Sequence, residues 1–246
     1  MAVQPWRKGI VTRIAEETHN TRRFWIQIPE LPSFDFIPGQ FVTLELPIDE
    51  KPGRRLRSYS IASWPDGTNT IELVIVLLEG GAGTTYLFNE VKEGVELTLR
   101  GPQGVFTLPQ SIDTDLMLVC TGTGIAPFRS MMHYVQEHHL AHKDVYLIFG
   151  TRTQKDLLYY NEMKALAAIE PGFYFIPTLS RESWEGCCGY VHPVYESIIK
   201  QKQNGSTELP LMNFMLCGWK VMIDEAKERI LHLGYTKKDI HQELYG

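Results

Sequence analysis

Short runs in which apolar and polar residues alternate fill the first hundred positions, and turns rich in proline and glycine separate them. A period of two is the pattern of a strand that has one buried and one solvated face. The runs predict six strands, over residues 11–14, 21–28, 40–46, 56–61, 70–78 and 95–99. Strands this short and this regularly spaced favour an antiparallel Greek-key β-barrel. One short helix is expected to begin at Thr84.

From residue 111 onward, continuous apolar runs replace the alternating ones, and a helical segment follows each of them. Continuous runs are typical of strands that are covered on both faces. They predict strands over residues 115–120, 145–149, 173–179 and 213–216. Strands that alternate with helices in this way form an α/β doubly wound parallel sheet. The sequence therefore predicts two domains, a barrel over residues 1–110 and an α/β domain over residues 111–246.

The predicted strand over residues 56–61 carries a cation, an aromatic ring and a hydroxyl within four positions. Arg57 can form two parallel hydrogen bonds to a phosphate. Tyr59 can pack its ring on a flat heterocycle, and Ser60 can donate to a ring nitrogen. This set suits a flavin. The alternation of Arg57, Tyr59 and Ile61 also fits an ordinary edge strand, so both interpretations stay open on these residues alone.

A glycine-containing loop joins the first apolar strand of the second domain to the helix that follows. The loop has the sequence Thr121-Gly122-Thr123-Gly124-Ile125-Ala126 and is interpreted as a nucleotide loop of the G-x-G-x-x-G/A type. Small residues let the backbone approach a pyrophosphate, and the helix N-terminus supplies amide donors. The alternative is a tight turn between strand and helix that binds no ligand.

The residues that follow the second and third predicted strands of the parallel sheet suit a ligand with a 2′-phosphate better than one with a free ribose diol. A standard NAD site has an acidic residue at the end of its second strand. Here the second strand is followed by Thr151 and Arg152, while Asp144 lies at its other end. Ser180 and Arg181 follow the third strand. Two arginines at successive strand ends would attract a 2′-phosphate, so the sequence favours NADP over NAD.

Two further stretches give weaker signals. Gly83, Thr84 and Thr85 precede the short helix, where free amides and hydroxyls can bind a phosphate or simply cap the helix. Cys217 and Gly218 end the last predicted strand, at the sheet edge where ligands bind in doubly wound folds. An isolated buried cysteine is by default only a small apolar side chain.

Composition and hydropathy argue against a nucleic-acid-binding, a membrane-spanning or a secreted protein. A net charge of −5 gives no reason to expect nucleic acid as a partner. The sequence contains no run of about eighteen apolar residues that could span a membrane. Residues 1–10 lack the apolar core of a signal peptide. We therefore expect a cytoplasmic protein.

The residues that commonly bind metals are not spaced for a metal site. The four cysteines, Cys120, Cys187, Cys188 and Cys217, have neither zinc-site nor iron–sulfur spacing. The histidines at positions 138, 139 and 142 lack a carboxylate or cysteine at a suitable distance along the chain. We predict no metal centre and expect the adjacent pair Cys187-Cys188 to lie in a loop.

In this order, the motifs resemble those of the ferredoxin–NADP reductase family along nearly the whole chain. Arg57-Ser58-Tyr59-Ser60 is similar to the family's R-x-Y-S/T flavin motif, and Gly83-Thr84 resembles its second flavin motif. The loop from Thr121 to Pro127 matches T-G-x-G-I-A-P without a gap. Three further matches are Gly150-Thr151-Arg152 with the segment after it, the pair Cys217-Gly218, and the C-terminal E-x-aromatic at Glu243-Leu244-Tyr245.

The resemblance implies a barrel that binds FAD and a sheet that binds NADP(H). Arg57 and Thr84 would hold the FAD pyrophosphate, Tyr59 would stack on the isoalloxazine, and Ser60 would lie near its N5. Cys217 and Glu243 would surround the nicotinamide, and these two residues with Ser60 are the expected catalytic groups. Tyr245 would cover the flavin ring until the nicotinamide displaces it. The expected cofactor-binding residues are Arg57, Ser58, Tyr59, Ser60, Gly83, Thr84, Thr85, Thr121, Gly122, Thr123, Gly124, Pro127, Thr151, Arg152, Ser180, Arg181, Tyr190 and Tyr245.

Two positions depart from the family pattern. Members specific for NADP often have a lysine or arginine two residues before the tyrosine that Tyr190 resembles, and this chain has Cys188 there. Trp219, directly after Cys217-Gly218, is bulkier than expected and could reshape the nicotinamide pocket.

The resemblance implies a reductase that takes a hydride from NADPH onto flavin N5 and passes electrons singly to a separate ferredoxin or flavodoxin. Lys51, Arg54 and Arg55 could meet such an acidic carrier or form an ordinary solvated turn. One alternative is the reductase component of an oxygenase, or a free-flavin reductase, that uses NADH. An alternative of another class is a non-catalytic flavin-binding subunit that relays electrons, against which the intact nucleotide loop argues. The sequence predicts no oligomeric state.

Overall fold

The computed structural model describes residues 4–245. The chain divides into two compact units. The first holds the residues up to Thr107 together with Ala126–Tyr134, and the second holds Leu108–Ile125 and the residues from Val135 onward. The segment Ala126–Tyr134 therefore belongs to the first unit although it follows the nucleotide loop in sequence.

The first unit is built on an antiparallel sheet of six strands with one short helix. The strands pair in the order β4-β3-β6-β1-β2-β5. A bridge between Ile61 and Leu73 joins the end of β4 to β5, so the two outer strands of this order meet and the sheet closes as a barrel. The elements are β1 (Trp6–Thr18), β2 (Thr21–Gln27), β3 (Phe41–Glu45), β4 (Leu56–Ser60), β5 (Thr70–Val76), α1 (Ala82–Asn89) and β6 (Glu96–Gln103).

The predicted alternation produces the core of this unit. Side chains such as Phe24, Ile26, Leu44 and Leu99 are at most 1% exposed and form one cluster inside the sheet. All six predicted strands are present, but β1 and β6 are longer than predicted. Register shifts in the pairing of β1 with β2 break the alternation. Strand pairing in β6 continues past Gly101-Pro102, although a Gly-Pro sequence is typical of a turn. Local pattern therefore underestimates strands whose ends depend on their partners.

The second unit is a parallel sheet of six strands with helices between them. The strands pair in the order β10-β9-β8-β7-β11-β12. From residue 115 onward, the elements are β7 (Asp115–Thr121), α2 (Ile125–Glu137), β8 (Val145–Thr151), α3 (Tyr160–Ile169), β9 (Phe173–Leu179), β10 (Cys187–Cys188), α4 (Val191–Gln203), β11 (Met212–Trp219), α5 (Lys220–His232) and β12 (Ile240–Tyr245). Most of α2 belongs to the first unit. Short 3₁₀ turns lie at Pro52–Arg54, Gly122–Gly124, Gln154–Asp156 and Lys237–Asp239.

Strand β7 lies at the centre of this sheet, where the direction of strand addition reverses. Residues Leu116 to Cys120 are all at most 1% exposed, as a strand covered on both faces requires. The chain continues from β7 to β8, β9 and β10 on one side, and returns to β11 and β12 on the other. Ligands of doubly wound sheets bind beyond the carboxyl ends of the strands at such a reversal. The carboxyl ends of β7 and β11 are therefore the place to look for a nucleotide.

Two strands of the second unit were not predicted. Cys187 and Cys188, expected in a loop, form the short edge strand β10, paired with Thr178 and Leu179. Strand β12 pairs in parallel with β11, but its sequence is polar and shows no apolar run. An edge strand is covered on one side only, so neither strand has the apolar signal of a central strand.

Within the residues that the structure describes, no helix is both long enough and apolar enough to cross a membrane.

Candidate cofactor sites in the two units

Strand β4 presents the candidate flavin residues on one edge of the barrel. It pairs with β3, which places Tyr59 beside Val42 and Ser60 beside Phe41. Ser60 is buried. Ser58 is exposed, and its hydroxyl lies 3.1 Å from the Thr43 hydroxyl. Ser58 therefore helps to join β4 to β3.

Arg57 lies across the N-terminal end of α1. Its Nη1 donates to the carbonyl oxygens of Arg54 and Leu56, at 2.9 and 2.8 Å. A Cβ at Gly83 would stand 3.0 Å from Cγ and 3.1 Å from Nε of Arg57. Any larger residue would therefore press against the arginine side chain. The arrangement places a guanidinium beside the first amides of α1, which have no acceptor within the helix.

The two threonines of this helix start have different roles. The Thr84 hydroxyl accepts a hydrogen bond from the Leu78 amide at 3.1 Å and lies 3.1 Å from the Gly81 carbonyl oxygen. It therefore holds the loop before α1, while the helix itself begins after Gly81 with no side-chain cap. The Thr85 amide donates to the Gly81 carbonyl oxygen at 2.9 Å, and the Thr85 side chain is exposed. The amide of Thr84 stays directed out of the first turn, as those of all early helix residues do.

The hydroxyl of Tyr59 is buried and has no hydrogen-bond partner among the residues that the structure describes. Burial raises the pKa of Tyr59 to about 12, against a smaller opposing effect of Arg57. A buried donor without a partner costs about 1–3 kcal/mol. The ring itself packs against the barrel core. The first unit thus combines a cation, helix amides, an aromatic platform and a free hydroxyl, and this set fits a flavin dinucleotide.

In the second unit, the predicted nucleotide loop follows β7 and opens α2, as expected, and its residues Gly122–Gly124 form a 3₁₀ turn. Gly122 has φ +55°, a left-handed conformation that glycine adopts without strain, and a Cβ there would meet open space. Gly124 is packed, because a Cβ there would stand 2.4 Å from the Cys217 carbonyl oxygen. Thr123 lies between these two glycines. Pro127 lies in the first turn of α2, where a missing amide hydrogen costs nothing.

Small residues also line the neighbouring strand ends. A Cβ at Gly218 would stand 2.5 Å from the Thr121 hydroxyl oxygen, and one at Gly150 would stand 2.7 Å from Val191. The Thr121 hydroxyl is buried and has no partner in the described part of the chain. Three adjacent strand ends therefore approach each other closely and leave one unsatisfied hydroxyl, which fits a polar ligand at the reversal of the sheet.

Strand β12 brings the C-terminal residues to this same edge. Its register places Glu243 beside Cys217 and Tyr245 beside Trp219. Burial raises the pKa of the Cys217 thiol well above its ordinary value, the nearby Glu243 raises it further, and a hydrogen bond with Tyr245 opposes them only in part. Cys217 is therefore a neutral thiol at physiological pH. The Trp219 side chain is about half exposed.

The ends of β8 and β9 bring the two predicted arginines together. The Thr151 carbonyl accepts from the Ser180 amide at 3.0 Å and from the Ser180 hydroxyl at 3.2 Å. The Arg181 amide donates to the Arg152 carbonyl at 2.9 Å. Both arginine side chains are exposed, and neither has a hydrogen bond or ion pair of its side chain within residues 4–245. Two exposed arginines on hydrogen-bonded neighbouring segments are thus available to an anion.

Tyr190 lies near this pair and is 72% exposed. The Gly189 amide donates to the Leu179 carbonyl at 2.8 Å, and the Thr178 hydroxyl donates to the Gly189 carbonyl at 2.9 Å. These bonds fix the start of α4 to the end of β9, directly before Ser180. Cys188, the position that departs from the family pattern, is exposed on the edge strand β10.

Other candidates lie away from these sites or are already paired. Asp144, at the amino end of β8, binds Lys202 at 2.5 Å. Arg54 and Arg55 of the predicted docking turn contact Asp49 and Glu45, at 3.7 and 3.9 Å. No group of three potential metal ligands occurs in the described range.

Two buried charged residues of the first unit were missed by the sequence reasoning. Arg129 and Glu72 are 4% and 3% exposed and bind each other at 3.2 Å. The only sequence signal is an arginine within the apolar start of α2, and an arginine at that position is ordinarily expected at the surface.

Comparison with family models assigns both units to known domain classes. Residues 8–108 match the oxidoreductase FAD-binding domain, and residues 118–228 match the oxidoreductase NAD-binding domain. The chain is thus an oxidoreductase of the class that carries a flavin domain followed by a nicotinamide-nucleotide domain.

Individual relatives narrow the class to a family. Ferredoxin–NADP reductase B of Sorangium cellulosum is 35% identical over 218 residues, which are 87% of this chain and 86% of that protein. The glycine betaine monooxygenase reductase subunit of Pseudomonas aeruginosa is 27% identical, over 100% of this chain and 67% of that subunit. A ferredoxin–NADP reductase structure from Neisseria gonorrhoeae with bound FAD and NADP is 26% identical, covers 97% of this chain and 98% of its own, and has a TM-score of 0.80. This chain belongs to the ferredoxin–NADP reductase family.

Proposed function

We propose that this protein is an NADPH-dependent reductase that passes electrons to a separate protein carrier of the ferredoxin or flavodoxin type. Membership of the family supports the reaction class. The choice of NADPH is supported by Arg152 and Arg181, whose backbones are hydrogen-bonded to each other and whose exposed side chains have no partner in the part of the chain described. A 2′-phosphate carries the negative charge that such a pair binds, and it accepts bidentate hydrogen bonds from arginine.

The first unit would hold FAD, which when bound supplies the redox chemistry that side chains lack. Arg57 and the first amides of α1 would bind the pyrophosphate. Tyr59 would support the ring system and satisfy its free hydroxyl on the cofactor. Ser60, buried at the end of β4, would donate a hydrogen bond at the reacting edge of the ring.

The second unit would hold NADPH at the reversal of the sheet. The loop over residues 121–124 would bind the pyrophosphate, and Tyr190 would offer a flat face to the adenine. Cys217 and Glu243 would line the nicotinamide site. Because the Cys217 thiol stays protonated, it fills space and offers a weak hydrogen bond without placing a negative charge beside the reacting ring.

The electron acceptor is proposed to be a separate protein. The four cysteines are free, two of them buried in the sheet and two on the edge strand β10, and they provide no iron–sulfur site in this chain. The first relative named above is a ferredoxin–NADP reductase. A second candidate acceptor is the terminal component of an oxygenase, favoured by the similarity to a monooxygenase reductase subunit that is longer than this chain.

The cytoplasm stays the proposed location, since all four cysteines are free thiols, as in a reducing compartment.

Rapid mixing of the FAD-loaded protein with NADPH or NADH tests the donor. We expect the flavin absorbance to bleach with both, and with NADPH at much lower concentration. The protein reduced by NADPH is then mixed with oxidised ferredoxin, flavodoxin or free flavin. Faster reoxidation by a protein carrier than by free flavin supports the proposal. Failure of NADPH to bleach the flavin would exclude it.

A further inference from the structure

A buried group of charges lies in the first unit beside the flavin strand. The Glu72 carboxylate accepts from Arg23 through Nε at 2.6 Å and Nη2 at 3.0 Å. It also accepts from Nη1 of Arg129 at 3.2 Å. The side chains of Glu72 and Arg129 are 3% and 5% exposed. Arg23 in turn reaches Glu17 at 3.5 Å, so two guanidinium groups and two carboxylates share the network.

This network holds the segment that directly follows the flavin strand. The Arg129 Nη1 donates to the Ala62 carbonyl oxygen at 2.7 Å. The Ala62 amide donates to the Glu72 carbonyl at 2.8 Å, and the Glu72 amide donates to the Ser63 hydroxyl at 3.0 Å. Both polar groups of the Ala62 backbone are therefore fixed by residues of the network.

Two residues of α2 also hold the next side chain of this segment. The Trp64 ring stacks on His133, with ring centroids 4.0 Å apart and planes 15° from parallel. The Arg129 guanidinium carbon lies 5.3 Å from the Trp64 centroid. The segment 62–64 is thus bound through its backbone and through its aromatic side chain.

Stability alone gives no reason to keep such charges in the core. Burying an ion pair costs desolvation energy, and well-packed apolar residues in its place are often neutral or stabilising. The Ile61 to Leu73 bridge already joins the strands here through the backbone. What an apolar pair lacks is a directed donor for the Ala62 carbonyl, which in that case would lose its hydrogen bond.

We propose that Arg129 is a positioning residue that sets the place of Ser60 by holding the Ala62 carbonyl. Ser60 ends β4 and Ala62 lies two positions further on, just after the bridged Ile61, so a shift of Ala62 moves the Ser60 hydroxyl. Reaction rates depend steeply on such placement, since a misplacement of about 1 Å costs on the order of a hundredfold. The inference rests on the role proposed above for Ser60 at the flavin.

The test compares the FAD-loaded wild type with Arg129→Lys and with the double variant Glu72→Leu/Arg129→Met. Arg129→Lys keeps the charge but loses the planar donor group. The double variant removes the two most buried charges together, and Arg23, which loses Glu72, keeps Glu17 as its partner. Arg13→Met is the matched control, because Arg13 is an exposed arginine of the same unit that stacks on Trp25.

Two readouts separate positioning from folding. We expect the visible circular dichroism of bound FAD to change in both test variants. We also expect the rate of flavin reduction at saturating NADPH to fall roughly tenfold or more, with KM for NADPH within about twofold of wild type. The control should match the wild type in both readouts. If the double variant does not bind FAD, Arg129→Lys alone decides the outcome.

A variant that binds FAD with the wild-type dichroism and the wild-type reduction rate would overturn the inference. If NADPH fails to reduce even the wild type, the proposed function is lost. The dichroism comparison would still decide whether Arg129 positions the flavin strand.

Discussion

Tyr59 shows how a single atom of the structure distinguishes the two interpretations that its sequence left open. An ordinary edge-strand tyrosine would direct its hydroxyl to water, but this hydroxyl is buried without a partner in the residues described. A buried unsatisfied donor lowers the stability of the protein without ligand and raises affinity for a ligand that accepts from it. The feature thus favours a ligand site over a purely structural strand.

Tyr59→Phe tests this reasoning. In the absence of FAD, we expect the variant to unfold at the same or a higher urea concentration than the wild type, because it buries no unpaired hydroxyl. Affinity for FAD should fall about two- to tenfold, the value of one neutral hydrogen bond. Titration of FAD into the apoprotein measures the affinity.

Tyr195→Phe is the matched control, since the buried Tyr195 hydroxyl has a partner in His192 at 3.2 Å. Removal of this hydroxyl should destabilise the protein by about 1 kcal/mol and leave FAD affinity unchanged. Equal effects of the two substitutions on stability would contradict the interpretation of Tyr59.

The same hydroxyl has a consequence at high pH. A tyrosine whose pKa is raised on folding disfavours the folded state at high pH, because the unfolded chain ionises first. This penalty is absent below the ordinary value of 10.0 and grows as the pH rises towards about 12. We expect the urea midpoint of the apoprotein to fall over this range less steeply in Tyr59→Phe than in wild type. Identical slopes would show that Tyr59 does not titrate with folding.

Arg181 is the residue on which the proposed preference for NADPH can be tested most directly. Arg181→Ala removes one of the two exposed arginine side chains, and a charge-assisted hydrogen bond contributes about 1.5–3 kcal/mol. We expect KM for NADPH to rise roughly tenfold to a hundredfold, with KM for NADH nearly unchanged. Lys200→Ala, which removes an exposed cation from α4, controls for the change in net charge. An equal rise of KM for both nucleotides would show that Arg181 does not bind the 2′-phosphate.

At the scale of elements, the nucleotide loop depends on close contact with β11. Gly124→Ala would place its Cβ 2.4 Å from a backbone oxygen that cannot rotate away. We expect the loop to shift, NADPH binding to weaken at least roughly tenfold, and FAD binding to persist. Gly53→Ala, where a Cβ meets nothing within 4 Å, is the control. Calorimetric titration of both cofactors measures the result, and normal NADPH binding by Gly124→Ala would contradict it.

At the amino ends of the central strands, ion pairs join the sheet to a helix. Lys202 lies 2.7 Å from Asp115 and 2.5 Å from Asp144, joining the starts of β7 and β8 to the end of α4. The hydrogen bond from Lys202 lowers the pKa of Asp144, although burial opposes it. A carboxyl with a lowered pKa stabilises the fold above its ordinary value of 3.8 and loses that contribution as the pH falls through the folded-state value.

Asp144→Asn should therefore be less stable than wild type at neutral pH and nearly equal to it at pH values well below 3.8. Urea unfolding at both pH values measures the difference. Because Asp144 and Lys202 are partly exposed, added salt should also reduce the difference at neutral pH. A stability difference that is independent of pH would contradict an electrostatic role.

At the scale of the whole molecule, each unit has its own hydrophobic core. The buried apolar residues of one cluster lie between Val11 and Leu99, and those of another lie between Met117 and Tyr235. A domain boundary between residues 110 and 111 stays a prediction, since the compact units also exchange the segment Ala126–Tyr134. The first part of α2 thus belongs to the flavin unit, and the loop before it belongs to the nucleotide unit.

Removal of FAD is expected to lower the thermal midpoint. A ligand that binds only the folded state stabilises it by about 2.7 kcal/mol at a hundredfold excess over its dissociation constant. In a protein of this size, that corresponds to a shift of several degrees. Calorimetric scans at increasing FAD concentration measure the shift, and Arg57→Met should reduce it. A midpoint independent of FAD would exclude FAD binding by the folded chain.

The sequence by itself determined the features that depend on near neighbours. The period of two in the first hundred residues, the continuous apolar runs after residue 111 and the nucleotide loop all arise within a few positions. They led to the correct fold class and family. Backbone sterics and the separation of apolar from polar faces act locally, so such features can be predicted from a single sequence.

Only the tertiary structure decided which distant groups meet. The register of β12 brings Glu243 to Cys217, the close contact at Gly83 directs Arg57 across α1, and Arg129 reaches the Ala62 carbonyl from another element. A polar edge strand and a buried arginine have no local signal, since their partners lie far away in sequence. The positions of this strand and this arginine depend on packing between distant segments and on the pairing of buried charges.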